Sequence, residues 1–402
     1  MRALTRNLAA PLSDADATAQ SMPDASPAKW HLAHTTWFLE TFVLRDHVPA
    51  YQLFDETFGY LFNSYYEAEG ARHDRTHRGL LTRPSLDRIL EWRAYVDRAV
   101  ADAQLADEAL SLVELGIHHE QQHQELLLTD MLNLLAQNPT GPAMFTTPES
   151  RALVDPAAMH WIVGRDGTVE IGADGGSFGF DCEGPRHTAL LTPHALASRL
   201  VTNAEWAAFI ADGGYANPRH WLADGWAWVQ SNAITAPLYW REGGGGWERF
   251  TLGGWQPVAP DVPVTHVSLY EADAYASWAE ARLPTEFEWE AAAVPLNPAS
   301  GNQLDIAGAA EPRAATCSGL PALQQMFGDC WEWTGSAFRP YPGFKPCAGA
   351  VGEYNGKFMS GQFVLKGGSC ATPRGHIRAS YRNFFYPHQR WQFTGVRLAK
   401  DI

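Results

Sequence analysis

The chain has 402 residues, of which 46% are hydrophobic and 19% are charged, and this balance is typical of a folded protein with a substantial core. A single core is rare at this length, so two domains are expected. The formal net charge of −15 argues against sequence-independent nucleic-acid binding, which requires a basic surface.

The five cysteines are an odd number and form no CxxC pair, which is typical of a reducing compartment. No apolar run approaches the roughly 18 residues that a membrane span needs, and the N-terminal segment has no continuous apolar core. These features predict a cytoplasmic protein that has neither nucleic acid nor a membrane as a partner.

The chain shows helical periodicity from about residue 26 to residue 137. The segment SPAKWHLAHTTWFLETFVL begins with Ser26 as a predicted N-cap and with Pro27 at the first helical position. Two further segments, which begin at Leu86 and Asp107, repeat apolar residues at spacings of three and four. The last of these helices is expected to end at the Asn-Pro break that follows it.

Glycine, proline and tryptophan become frequent after this break, and short apolar runs alternate with turn residues. This pattern predicts a β-rich domain with long loops, together with helices over EADAYASWAEA and RLPTEFEWEAAA. The predicted class is α+β, with a helical domain over residues 1–140, a linker over 141–159 and a loop-rich domain over 160–402.

The stretch HHEQQHQELLLTD places His119 and His123 four residues apart in the last predicted helix. That spacing puts both imidazoles on one helical face, where they can bind one metal ion. Leucines on much the same face predict that the pair points into the bundle core. The alternative is a pair of hydrogen-bonded core histidines.

The same stretch satisfies H-E-x-x-H, the helix of zinc hydrolases in which the glutamate acts as a general base. In that interpretation Glu120 activates water, and otherwise it is a supporting or surface carboxylate. The extended form of the motif, with a glycine and a third histidine downstream, is missing.

A third ligand must come from elsewhere, and His34 in WHLAHTTWFLE is the best candidate because it shares a face with Trp30 and Phe38. Three histidines without a carboxylate do not choose between zinc and iron.

Several motifs resemble a known family. WHLAHTTWFLETFVL, LFNSYYEAEG and HHEQQHQELLLTD resemble the DinB-like domain of the ergothioneine-pathway sulfoxide synthases, the hercynine oxygenases. GGSFGF, FGDCWEWT, VLKGGSC and FTGVRLA resemble the formylglycine-generating-enzyme domain, also called the sulfatase-modifying-factor domain. The resemblance implies a DinB-like four-helix bundle packed on a C-type-lectin-like domain, with the active site at their junction.

The resemblance further implies a mononuclear nonheme Fe(II) enzyme with His34, His119 and His123 as ligands. Such enzymes use dioxygen to join a thiol sulfur to C2 of the hercynine imidazole, which gives a sulfoxide. Tyr65 and Tyr66 are the implied catalytic proton donors, and Gln122 matches a position that contacts hercynine.

The thiol substrate carries a carboxylate, which suits arginine. The motif Asn383-Phe384-Phe385 stands where members that use γ-glutamylcysteine carry Asn-Trp-Asp. The missing acid favours cysteine as the thiol donor. The arginine candidates for binding the donor are Arg72, Arg75, Arg78 and Arg390.

Three other interpretations stay open beside this one. A selenoneine synthase of the same fold would use a selenosugar, and a non-catalytic DinB-like module would need neither iron nor the tyrosines. A copper oxidase would use Cys330 and Cys370, which are otherwise small buried residues. The sequence leaves the oligomeric state open.

Overall fold

The computed structural model describes residues 1–146, 157–316, 322–346 and 355–402. Most of the predicted linker, together with Cys317 and Cys347, therefore lies outside the described residues.

The first region is helical, and its longest helices, α3, α5 and α6, pack together with α1 against α3 and α6. A π-helical segment, Glu40–Arg45, continues α3 directly. The helices are α1 (Arg2–Ala9), α2 (Asp14–Thr18), α3 (Ala28–Leu39), α4 (Phe58–Phe62), α5 (Leu86–Asp102) and α6 (Asp107–Ala136). We call this region the helical domain.

Helix α3 begins one residue later than predicted, with Pro27 at the N-cap. Ser26 does not cap the helix, because its backbone N–H donates to Asp130 and its hydroxyl accepts from Arg78. Helix α1 was not predicted, since its eight residues carry too short a pattern to stand out.

Helices α3 and α6 approach closely at Gly116, one turn before His119. A Cβ atom at this position would lie 2.7 Å from a methyl carbon of Leu39. The missing side chain therefore lets the two helix backbones approach, which brings His34 on α3 next to the histidines of α6.

The second region, which we call the C-terminal domain, has four small sheets among its described residues, with the strand orders β1-β4-β12, β10-β9-β8-β11, β2-β3 and β5-β6-β7. The first six strands are β1 (Trp161–Val163), β2 (Gly167–Ile171), β3 (His187–Leu191), β4 (His194–Ala197), β5 (Trp240–Gly243) and β6 (Gly246–Thr251). The other six are β7 (Gly254–Pro257), β8 (Trp331–Ala337), β9 (Phe363–Lys366), β10 (Asn383–Phe385), β11 (Thr394–Gly395) and β12 (Ala399–Asp401).

The described residues of this domain also form four α-helices, which are α7 (Asn203–Ala211), α8 (Ala223–Asn232), α9 (Leu269–Trp278) and α10 (Glu286–Ala293). Helix α10 packs on the sheets, while α7 and α8 pack on α9. Helices α7, α9 and α10 each begin with a capping box, which explains why short helices start cleanly among long loops. The predicted helices over EADAYASWAEA and RLPTEFEWEAAA correspond to α9 and α10, although α10 begins only at Glu286, after the capping residue Thr285. The mixture of helices and sheets confirms the α+β class.

Strand β10 lies at the edge of its sheet and pairs antiparallel with β9 alone, with Phe384 opposite Val364. Its three residues, Asn383, Phe384 and Phe385, line a cavity that is described below.

Helix α6 spans the junction, because one of its sides contacts the helical bundle and another contacts the C-terminal domain. The carboxylate of Glu125, on α6, accepts hydrogen bonds from Trp331 Nε1 at 2.8 Å, from Thr372 at 2.6 Å and from Ser369. Farther along α6, Asn133 donates to the Tyr239 hydroxyl at 3.1 Å. Across the described ranges, no helix is both long and apolar enough to cross a bilayer.

Candidate metal centre at the domain junction

Three histidines converge where α3 meets α6. Possible ligand atoms of His34, His119 and His123 all lie within 4.8 Å of one another. The ring centroids are 4.6 to 5.0 Å apart, and the rings are steeply inclined to each other. The imidazoles therefore surround one point from different directions, as ligands of a single ion do.

All three rings are buried, with at most 8% of each residue exposed. Burial, reinforced by the neighbouring imidazoles, holds the pKa of His34 and His123 well below the usual range. Burial also lowers the pKa of His119 to about 4. The histidines are therefore neutral at physiological pH, which is the form that binds metals.

The ring of His34 is fixed in orientation and tautomer. Its Nδ1 lies 2.6 Å from the carbonyl oxygen of Phe62, which can only accept, so the proton is on Nδ1 and Nε2 is left with a lone pair. The ring of Trp30 stacks with the His34 ring at 4.5 Å between centroids, and the ring of Trp37 stacks with it at 5.5 Å. A set of three neutral imidazoles, one of which is oriented by this hydrogen bond, fits a divalent transition metal.

Glu120 is adjacent to a predicted ligand in sequence but is engaged elsewhere. Its buried carboxylate forms ion pairs with Arg93 and with Arg2, the latter at 2.9 Å, and accepts a hydrogen bond from Thr5. Although burial alone would raise it, the two guanidinium groups hold the pKa of Glu120 down to about 2. A carboxylate so tightly paired is a poor general base, so the geometry argues against the zinc-hydrolase interpretation.

A cavity of about 450 Å³ opens beside the histidines and is walled by both domains. This volume is typical of small-molecule sites. The predicted site residues that line it are His34, His123, Gln122, Tyr65, Arg75, Arg78, Asn383, Phe384 and Phe385.

The two predicted tyrosines occupy different environments. Tyr65 lines the cavity, and its backbone carbonyl accepts a 2.6 Å hydrogen bond from Lys357 of the C-terminal domain. Tyr66 is 1% exposed and packs against Trp37 and Phe42 in the helical core.

The predicted arginines also separate. Arg78 is buried and lines the cavity, whereas Arg75 is exposed at its rim. Arg72 pairs with Glu67 at 2.7 Å and is not among the cavity-lining residues. The structure does not bring Arg390 to the cavity either, because its guanidinium donates to buried Glu271 at 2.8 Å.

Arg78 is the unusual member of this group. Its guanidinium donates to the hydroxyls of Ser26 and Ser64 at 3.0 and 3.1 Å and lies 3.4 Å from the ring centroid of Trp30. None of the ion pairs among the described residues includes it. Burial, with help from Arg75, lowers the pKa of Arg78 well below its usual value. A buried cation that is held only by neutral groups is suited to an anionic ligand.

Sequence reasoning missed several polar residues of the cavity wall, among them His31, Asp130 and Tyr381. His31 lies three residues before His34, so the W-H-L-A-H spacing carried a signal for it. The hydroxyl of Tyr381 accepts a 2.7 Å hydrogen bond from Gln122, a contact across 259 residues of chain that no local pattern could indicate.

Cys330 and Cys370 are free, buried thiols, and burial raises the pKa of both well above the usual value. Within the described ranges, neither joins a cluster of three metal-ligating side chains. They behave as small buried residues.

Comparison with known proteins identifies both halves of the chain. Residues 1–127 match the model of the DinB superfamily. Residues 145–318 and 319–402 match the model of the sulfatase-modifying factor enzyme 1-like domain. The predicted pairing and order of domains is confirmed.

Curated relatives match almost the whole chain. The hercynine oxygenase of Mycobacterium tuberculosis is 35% identical over 97% of this chain and 94% of its own length. The hercynine oxygenases of Mycolicibacterium thermoresistibile and Mycolicibacterium smegmatis are also 35% identical over 97% of this chain, covering 90% and 94% of their own lengths.

Proposed function

The chain belongs to the hercynine oxygenase family and is an oxygenase, and on that premise we propose that it is a sulfoxide synthase of ergothioneine biosynthesis. In this proposal a nonheme Fe(II) enzyme uses dioxygen to join the sulfur of cysteine, or of γ-glutamylcysteine, to C2 of the hercynine imidazole. The observation that carries the proposal is the buried three-histidine centre beside a cavity shared by both domains.

His34, His119 and His123 would hold the iron. A bound ferrous ion would supply the site of dioxygen activation. The role of the surrounding chain is to hold the two organic substrates side by side, which replaces an improbable encounter by an effectively intramolecular step.

Arg78 is the residue that we assign to the carboxylate of the thiol substrate. Its guanidinium is buried in the cavity wall with only neutral partners, so an incoming carboxylate would compensate its charge. The exposed rim position of Arg75 suits a weaker, solvent-screened contribution.

The wall formed by β10 supports cysteine as the thiol donor. Phe384 and Phe385 line the cavity and provide no carboxylate for a γ-glutamyl ammonium. Phe385 instead packs edge-to-face on Trp391 at 6.2 Å between centroids. An apolar wall of this kind favours the smaller donor.

Gln122 and Tyr381 support binding of hercynine. They are hydrogen-bonded to each other in the cavity wall, which fixes the amide beside the metal centre. The trimethylammonium group of hercynine cannot donate hydrogen bonds and prefers aromatic faces, which Trp391 and the phenylalanines of β10 offer.

We assign the catalytic proton to the hydroxyl of Tyr65. Tyr65 lines the cavity and is held from the C-terminal domain by Lys357, whose ammonium lies 4.9 Å from the ring centroid. A proton delivered there steers the reaction away from simple thiol oxidation. Tyr66 supports Tyr65 from below, with the two rings stacked at 5.0 Å.

The proposal is tested by anaerobic reconstitution of the full chain with Fe(II), followed by addition of hercynine, oxygen and one donor. Separate reactions contain cysteine, γ-glutamylcysteine or a selenosugar, and products are identified by mass. We expect the cysteine–hercynine sulfoxide as the main product. Formation of a selenium adduct alone would reassign the chain to selenoneine synthesis, and turnover with zinc but not iron would overturn the proposal.

A further inference from the structure

One of the three histidines at the metal centre is connected to the C-terminal domain through a continuous line of buried side chains. We propose that the hydrogen-bond series Trp391–Asp130–His31–His123 fixes the tautomer of His123. Full metal affinity in the helical domain then requires a hydrogen-bond donor from the C-terminal domain. The inference rests on the proposed role of His123 as a metal ligand.

Each link of this hydrogen-bond series is a direct contact between two groups. Nδ1 of His123 lies 2.8 Å from Nδ1 of His31, and Nε2 of His31 lies 3.1 Å from Oδ2 of Asp130. Asp130 also accepts from the backbone N–H of Ser26 at 2.8 Å and from Nε1 of Trp391 at 3.1 Å. All five residues are at least nine-tenths buried.

The chemistry of the groups sets the direction of each hydrogen bond. A carboxylate only accepts, so the proton between Asp130 and His31 belongs to Nε2 of His31. Nδ1 of neutral His31 is then an acceptor, and the proton between the two imidazoles belongs to Nδ1 of His123. This leaves the lone pair of His123 on Nε2, the nitrogen that is free to bind a metal.

His34 and His123 differ in how they are supported. His34 is fixed by the carbonyl of Phe62, which belongs to the helical domain itself. His123 depends on a carboxylate that is shared by three donors, one of which belongs to the C-terminal domain. Removing that donor leaves Asp130 less restrained, and the orientation of His31 and His123 loosens with it.

Asp130→Asn is the strongest single disturbance of the hydrogen-bond series. Ser26 and His31 donate to Oδ2 of Asp130, and Trp391 donates to Oδ1. An amide has only one acceptor oxygen, so asparagine cannot accept from all three donors in their present positions. If the amide nitrogen faces His31, the His31 tautomer reverses and His31 donates to His123. The proton of His123 then moves to Nε2, where it competes with the metal.

The junction provides a matched control. Trp331 also donates its indole N–H across the interface to a buried carboxylate of α6, in this case Glu125 at 2.8 Å. Glu125 is bonded to Trp331, Ser369 and Thr372 and has no described hydrogen bond to a histidine. Trp331→Phe therefore removes an equivalent interdomain hydrogen bond and leaves the hydrogen-bond series to His123 intact.

The experiment is an anaerobic titration of the full-length apo chain with Co(II), read by its visible absorption and by competition with a chelator. It compares wild type, Asp130→Asn, Trp391→Phe and Trp331→Phe, each checked for folding by circular dichroism. We expect Asp130→Asn to weaken metal affinity by roughly 10- to 100-fold, as is typical when the support of a ligand is lost. Trp391→Phe should weaken it by a smaller factor, on the order of 3- to 10-fold, and Trp331→Phe by less than about 2-fold.

The outcomes distinguish a failure of the hydrogen-bond series from a failure of the proposed function. The series would be overturned by wild-type metal affinity in both Asp130→Asn and Trp391→Phe. Equal weakening of metal affinity in Trp391→Phe and Trp331→Phe would overturn it as well. If Asp130→Asn does not fold, the comparison of the two tryptophan variants decides alone. A wild-type chain that binds no divalent metal would instead overturn the proposed function.

Discussion

The two sides of helix α6 differ in the origin of their partners. The side that faces the bundle carries His119, Glu120 and His123, whose partners lie within the first 125 residues. The side that faces the C-terminal domain carries Gln122 and Glu125, whose partners are more than 200 residues away. The first side is therefore encoded by spacing along short stretches, whereas the second is defined only when the two domains meet.

The largest effect is expected for His119→Ala on the bundle side. The variant loses one of three converging imidazoles, so Co(II) or Fe(II) affinity should fall by more than about 100-fold and activity should be lost with it. Metal content after reconstitution and desalting is the measurement. The control is His118→Ala, because His118 is adjacent but contacts His376 in the C-terminal domain, and this variant should retain the metal. Equal metal loss in both variants would contradict the ligand assignment.

The buried carboxylates of the two sides should respond differently to neutralisation. Glu120→Gln leaves Arg93 and Arg2 facing an amide, and guanidinium groups cannot accept hydrogen bonds. We expect this change to lower the free energy of unfolding by about 3–5 kcal/mol, as is typical when one partner of a buried ion pair is removed. Glu125→Gln should cost about 1 kcal/mol, because the hydroxyls of Ser369 and Thr372 can rotate and accept from the amide.

Denaturant unfolding of the apo chain, followed by tryptophan fluorescence, measures both changes. Similar losses of stability in Glu120→Gln and Glu125→Gln would show that the charge environments of the two sides are equivalent, against the structure.

Asp329, a carboxylate of the C-terminal domain, should make the stability of the protein depend on pH. Asp329 precedes Trp331 by two residues, is buried, and accepts from the Arg313 backbone N–H and the Asn302 amide. Burial raises the pKa of Asp329 from 3.8 to about 6. A folded-state pKa above the unfolded value gives stability that is present below about pH 3.8 and is lost as the pH rises through 6.

Asp329→Asn should therefore gain stability relative to wild type by up to about 3 kcal/mol between pH 4 and pH 7, since a tenfold change in proton affinity corresponds to about 1.4 kcal/mol. The amide keeps an acceptor oxygen for both donors. Unfolding at several pH values measures the difference between the variants. A difference that does not change with pH would show that the carboxylate is already compensated in the fold.

The smallest effect on stability, and a specific effect on the products, is expected for Tyr65→Phe. Tyr65 is half-buried at the cavity wall, so we expect the free energy of unfolding to change by less than about 1 kcal/mol. The product should shift from sulfoxide toward oxidised thiol at unchanged iron content. Tyr66→Phe is the comparison variant, and its buried ring predicts a normal product ratio. A shift in Tyr66→Phe alone would move the role to Tyr66, and normal ratios in both would remove it from the pair.

The three-histidine cluster was predictable because its information is local. His119 and His123 are one helical turn apart, and His34 lies on a helix whose residues are all buried. The support of His123 was not predictable, because His31 and Asp130 are 99 residues apart and nothing in either stretch indicates the other.

The C-terminal domain shows the same limit more strongly. The pairing of Arg390 with Glu271 joins positions 119 residues apart, and it removes from the cavity an arginine that its neighbours in sequence had favoured. The placement of Tyr65 and Tyr66 differs for a related reason, since consecutive residues in a loop can point to opposite environments and no periodicity determines which one faces the cavity.

Strand β10 has one paired neighbour and only three residues, yet it forms a wall of the cavity. The candidate ligands all belong to the other domain. Under the proposed function, exchange of these three contiguous side chains would change the donor preference and leave the three histidines untouched. An Asn-Trp-Asp graft at this edge would then redirect the proposed reaction toward a longer thiol.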